Sequence, residues 1–384
     1  MTLISKRFGL AMIITMATMT SPLAKSANAE PDHTKYFLYV GTYGKGIYAY
    51  HFDARSGNLQ SIGLAGEIVN PSWITTDPHH RYLYAVSEVE GKVNGGVAAF
   101  ALDRRSGMLR KLNSMSSAGV APCHLSVDRT GQMLLVANYG TGGVGVFAIG
   151  ADGSLRTMTG LLQAEGHSVN PKRQQGPHAH EAVITADNRF AYVPDLGLDR
   201  IRIYRLDPSH ASATENSPAF VSEQPGYGPR HIAFAPGDRH AYVVNELKSF
   251  VTVYTRDPQN GNLHLVQQIS TLPEGFTGEN APAEIAVDHA GRFVYATNRG
   301  ANTVAVFAID PATGTLRLVQ SVSSEGDFPR GFSLDPTDHY AFVGNQKSDD
   351  FAVFEVDQAT GYLRFTGERI KLSAPVGFAF VAED

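Results

Sequence analysis

The chain has a single cysteine, Cys123, among its 384 residues. No disulfide can form within it even in an oxidising compartment, so stability must come from packing. It has no run of lysine and arginine, and its formal charge is −5, which leaves nucleic acid without an electrostatic footing as a partner. No apolar run reaches the roughly 20 residues that a membrane-spanning helix needs. A Gly-x-Ser-x-Gly elbow is missing, and so are the glycine loops that cradle phosphates or dinucleotides.

The first 29 residues have the three parts of an export signal. Lys6 and Arg7 form a charged start, Phe8 to Thr18 is apolar apart from Gly9 and Thr15, and Ala27-Asn28-Ala29 offers a small-x-small cleavage site. Processing there leaves 355 residues and takes the formal charge from −5 to −8 through the loss of Lys6, Arg7 and Lys25. The expectation is a periplasmic or secreted protein. Glycine (38), phenylalanine (20) and tyrosine (16) are abundant between short β-rich runs, which suits an all-β fold.

A repeat accounts for the length. Units open at Pro71, Pro122, Ala179, Pro229, Pro282 and Pro329, at spacings of 51, 57, 50, 53 and 47 residues. Each starts with a short alternating run such as Ala283-Glu284-Ile285-Ala286-Val287-Asp288, turns on Asp, Gly or Pro, and continues into a strand such as Arg292-Phe293-Val294-Tyr295-Ala296-Thr297. A third strand (Val304-Ala305-Val306-Phe307) follows, and Gly-x-Leu usually leads into a fourth, as at Gly261-Asn262-Leu263 and Gly314-Thr315-Leu316. Four antiparallel strands per unit make a propeller blade. The C-terminal Pro375 to Val381 is a first strand without a second, whereas Tyr36 to Leu59 supplies a second, third and fourth without a first. Together they complete a seventh blade and remove the free sheet edges. The sequence therefore predicts one domain over residues 30–384, a seven-bladed β-propeller, with a loop from Glu165 to His178 rising from the ring.

In each unit the opener and the end of the second strand meet at one rim. The residue after the opener is Ser72, Cys123, His180, Arg230, Ala283 or Arg330. The second strands end at Ser87, Asn138, Asp195, Asn245, Asn298 and Asn345, followed by Glu88, Tyr139, Leu196, Glu246, Arg299 and Gln346. The Asn/Asp column is what turn chemistry alone would select. Arg230 and Arg330 are not explained that way, because other blades carry Ser, Cys or Ala there. A guanidinium fork suits a carboxylate, a phosphate or a developing oxyanion, or an ion pair of Arg230 with Glu246 that ties one hairpin together. His180 offers an imidazole base. In the cluster His178, His180 and Glu181 the His-x-His pair has the spacing of two metal ligands, but no third ligand is identifiable by spacing and no metal is expected. Cys123-His124 resembles a nucleophile and base, yet strand alternation predicts opposite faces and a packed thiol.

Tyr39-Val40-Gly41-Thr42-Tyr43, His178-Ala179-His180, Val193-Pro194-Asp195-Leu196-Gly197, Gly228-Pro229-Arg230-His231, Asn245-Glu246-Leu247 and Phe328-Pro329-Arg330 together carry a resemblance. They are similar to the seven-bladed propeller lactonases, typified by bacterial 6-phosphogluconolactonase, with fungal carboxymuconate lactonizing enzyme as a relative. The resemblance implies catalytic roles for His180 (or His178), Arg230, Glu246 and Arg330. It leaves His178, His124, Asn138, Asp195, Asn298, Arg299, Asn345 and Gln346 as substrate-binding candidates on the same rim. It implies a small-molecule lactone as partner, a monomer, and no metal or organic cofactor. No membrane contact is expected once the signal is removed. Members acting on phosphorylated sugars are cytoplasmic, so the export signal favours a sugar lactone without phosphate. A lactonizing cycloisomerase acting on an unsaturated dicarboxylate, and a propeller that only binds, are the alternatives.

Overall fold

The computed structural model describes residues 1–2, 34–91 and 95–384; apart from its first two residues, the expected export signal lies outside them. Thr34–Asp384 forms one compact unit, and its strands assemble into seven four-stranded antiparallel sheets. Blade 1 pairs Lys35–Thr42, Gly46–Asp53 and Asn58–Glu67 with the C-terminal Pro375–Ala382, which closes the ring as the terminal half-units predict. The inner strands of blades 2 to 7 are Ile74–Thr76, Pro122–Val127, Val183–Ile184, Pro229–Phe234, Ala281–Val287 and Pro329–Leu334. Among the described residues the one helical element is the short 3-10 turn Pro208–His210.

The second strand of each blade is buried on both faces, and neighbouring blades share their apolar clusters. Tyr295 of blade 6, for example, packs with Phe332, Val343 and Phe354 of blade 7. The recurring tyrosine and the recurring Gly-x-Leu turn meet here. The hydroxyls of Tyr39, Tyr84, Tyr192, Tyr242 and Tyr295 each donate to the carbonyl of a turn residue in the next blade: Gly107, Gly153, Gly261, Gly314 and Gly361. Each of these glycines has φ between 71° and 78°, a conformation costly for any residue with a Cβ. A Cβ on Gly314 would also sit 2.3 Å from the His240 ring. Tyr242→Phe removes the donor and leaves a buried carbonyl unpaired. Denaturant titration should find a loss of about 1–3 kcal/mol; an unchanged midpoint would show that this latch carries no load.

The inner strands depart from regular pairing at one place. In blade 5, Pro229 pairs with Asn245 and His231 with Val244, so Arg230 is an extra, bulged residue. Cys123 and Arg330 are bulged in the same way. A bulge interrupts alternation and re-aims side chains, so two consecutive residues can face the central channel. The expected opposite placement of Cys123 and His124 is thereby corrected. Cys123 touches His180, 3.8 Å from Nδ1, while the His124 ring packs tilted against Trp73, 4.3 Å between centroids.

Candidate active site at one mouth of the channel

Bulged residues and the residues after the second strands form an upper layer at one mouth. Glu246 is its centre. Its buried carboxylate accepts from Arg173 Nη2 at 2.6 Å, Arg299 Nη2 at 2.7 Å and Arg230 Nε at 3.1 Å. Burial would raise the Glu246 pKa, but Arg299, Arg230 and Arg173 outweigh it and hold the carboxyl well below its ordinary range. Glu246 is therefore a fixed anion, unable to serve as a general base near neutral pH. Arg230 spends Nε on Glu246 and Nη1 on the Ala283 carbonyl. Arg330 donates to the Tyr43 hydroxyl at 2.8 Å and lies over its ring, and Tyr43 in turn donates to Glu88 at 2.6 Å. Ser72 also donates to Glu88.

His180 is buried in the same layer. Burial, then the nearby charges of Arg230, His231, Arg330 and Arg299, lower its pKa well below the ordinary imidazole value. The ring is therefore neutral at physiological pH. Among the described residues, four guanidiniums (Arg173, Arg230, Arg299 and Arg330) face two carboxyl groups (Glu88 and Glu246), an excess of positive charge that suits an anionic group or a developing oxyanion.

A lower layer follows, one residue further along each inner strand: Trp73, His124, Glu181, His231, Glu284, Gly331 and Gly377. Seven side chains do not fit there. A Cβ on Gly331 would stand 2.0 Å from the Val376 carbonyl oxygen, so blades 7 and 1 contribute bare backbone, and the indole of Trp73 packs against His124 and His231.

The description "Lactonase, 7-bladed beta-propeller" matches residues 37–380 of the chain. The chain belongs to the seven-bladed propeller lactonase family. Similar proteins include a 6-phosphogluconolactonase of Bacillus subtilis (strain 168), 38% identical over 79% of this chain and 86% of that protein. Another is a 6-phosphogluconolactonase of Formosa agariphila, 29% identical over 78% and 86% respectively. Among solved structures, a periplasmic gluconolactonase of Pseudomonas aeruginosa aligns with a TM-score of 0.86 and 33% identity, over 91% of this chain and all of that one.

In this lactonase-family channel, His180, Arg230, Glu246 and Arg330 converge on one mouth, and Arg299 joins them as a third ligand of Glu246. His178 stands beside the mouth, stacked on Tyr139 at 4.6 Å, with its Nδ1–H donated to the Tyr139 carbonyl at 2.7 Å. The asparagine column points elsewhere. Asn138 donates to Ser117 and Gly143, Asn298 to Thr271 and Thr303, and Asn345 to Ser324, each fully buried. These three amides brace turns, as turn chemistry alone would have them, and offer a substrate no exposed surface. Asp195 is buried as well, accepting from the backbone of His178 and Leu198 and facing Arg202 at 3.4 Å. The Gln346 backbone amide donates to the Phe328 carbonyl at 3.1 Å. His124 belongs to the lower layer.

Rim counting placed Glu88 on the rim without a role and left out Arg173, Tyr43, His231 and Glu284. Arg173 lies in the loop from 165 to 178, which has no counterpart in other blades. His231 and Glu284 had a signal: the second residue after the opener is polar in four consecutive blades (His124, Glu181, His231 and Glu284), where a regular strand would turn it into the sheet.

Proposed function

We propose that the protein hydrolyses the internal ester of a sugar lactone, a gluconolactone without phosphate, outside the cytoplasm. The observation that carries this reading is the convergence of Arg230 and Arg330 with a neutral imidazole around one channel mouth, with Glu246 clamping Arg230 in place. Ester hydrolysis needs donors where the carbonyl oxygen becomes an oxyanion, and a base for the attacking water. Arg230, with Nη2 outside the bonds to Glu246 and Ala283, is suited to the oxyanion. Arg330 is suited to the substrate's oxygen-rich rim. The three-part N-terminal pattern supports export, and a periplasmic gluconolactonase among the similar structures supports the unphosphorylated substrate.

Purified mature protein should be assayed against glucono-lactone and its 6-phospho form, each corrected for spontaneous hydrolysis. The expected result is a higher kcat/KM for the plain lactone. A clear preference for the phosphorylated one would overturn the substrate assignment, and rates equal to background with both would overturn the activity.

A further inference from the structure

Four ionisable side chains of the lower layer, His124, Glu181, His231 and Glu284, are buried beneath the mouth. His124, Glu181 and Glu284 each accept a backbone amide hydrogen. Glu181 accepts from the Ile232 amide and lies 3.3 Å from His124 Nε2 and 3.9 Å from His231 Nδ1, while His124 Nδ1 accepts from the Ala182 amide at 3.3 Å. Glu284 Oε1 accepts from the Ile285 amide at 3.1 Å and lies 2.8 Å from His231 Nδ1. Once Glu284 is ionised its oxygens can only accept, so the proton between Oε1 and the ring then sits on His231 Nδ1. That leaves the lone pair on Nε2. His231 is 2% exposed, and its Nε2 has no hydrogen-bond partner among the described residues.

His231 and Glu284 line a void between the two layers, bounded above by Arg230, Arg330 and Cys123. Its free volume, about 10 Å³, is that of one water site. His180 has no comparable arrangement. Its Nδ1 is 3.8 Å from the Cys123 sulfur, and none of its contacts among the described residues is with a carboxylate.

We infer that His231, oriented by Glu284, is the general base of the lactone hydrolysis and that the void beneath the mouth seats the attacking water. The inference rests on the lactonase reading. His231 Nε2 takes a proton from the water as its oxygen bonds to the lactone carbonyl carbon, and the carbonyl electron pair moves onto the oxyanion beside Arg230. When the carbon–ring oxygen bond breaks, the ring oxygen takes that proton back from Nε2, and the open-chain hydroxy acid leaves. Glu284 is a positioning residue, holding the tautomer and the ring plane. Burial pushes its carboxyl up to about 7, with Arg230 and Arg330 opposing. The groups facing the pair are Arg230 and Arg330 from above and His124, Glu181 and His180 from the sides. As pH rises through about 7 the carboxylate forms, the Nδ1–H tautomer is held, and kcat should rise.

The test compares wild-type protein, His231→Asn, Glu284→Gln and His124→Gln for kcat, KM, pH profile and melting temperature. His231→Asn should lower kcat on the order of 10²–10⁴-fold with KM little changed, and added imidazole should restore part of the loss. Glu284→Gln should keep the fold and flatten the rise near pH 7, whereas His124→Gln should retain that rise. Wild-type rates equal to background would sink the lactonase reading itself. An active wild type with His231→Asn within twofold of it, or Glu284→Gln with an unaltered pH profile, would overturn the assignment of His231 alone. If His231→Asn fails to fold, the Glu284→Gln profile decides.

Discussion

Glu246→Gln should be among the most disruptive single changes at the mouth, lowering stability by about 3–5 kcal/mol. The amide keeps the shape of the carboxylate but removes the negative charge that Arg173, Arg230 and Arg299 share. Three guanidiniums would then lie together with their common counter-charge gone, two of them buried, and one of the new amide's polar ends would present N–H to N–H donors. Denaturant unfolding measures the loss directly. The pH dependence gives a second check. The folded-state pKa of Glu246 lies below its unfolded value, so its contribution is present above the unfolded pKa of about 4.3 and fades as pH falls toward the folded value. The difference between wild type and variant should therefore be full at neutral pH and shrink in acid below about pH 4. A gap that stays constant through that range would mean that the charge is not what holds the three arginines.

Arg230→Lys should leave a folded protein whose kcat is lower by about 10²–10³-fold, the usual cost of losing one oxyanion donor. An ammonium retains the charge but not the fork. The guanidinium reaches Glu246 through Nε and the Ala283 carbonyl through Nη1, which fixes the plane in which Nη2 lies. A lysine that satisfies Glu246 has no rigid second arm to aim at the substrate. KM should change far less than kcat, because the lost interaction forms with the oxyanion rather than with the ground-state carbonyl. If kcat is retained, Arg230 is a structural partner of Glu246 and the oxyanion is stabilised elsewhere. Together with the His231 and Glu284 variants, this divides the site into an upper layer that handles charge and a lower layer that handles the proton.

The ring was written openly in the chain. Openers about 50 residues apart, the aromatic of the second strand and the Gly-x-Leu turn are local signals, and each states a strand, a burial or a left-handed turn within a few residues. The half-units at the two ends implied closure for the same reason. The pairing of Arg230 with Glu246 was legible too, because a hairpin of fixed length brings its ends together.

The depth of the site was not legible. A period of two assigns consecutive residues to opposite faces, and the bulges at Cys123, Arg230 and Arg330 break that rule only when seven inner strands crowd one axis. Arg173 was beyond reach for another reason: no repeat fixes where an inserted loop lays its side chain. Periodicity along the chain thus decided which residues approach the channel. The packing of separate blades decided which share a layer, since distances between blades depend on contacts some 50 to 300 residues apart in sequence that no local pattern encodes.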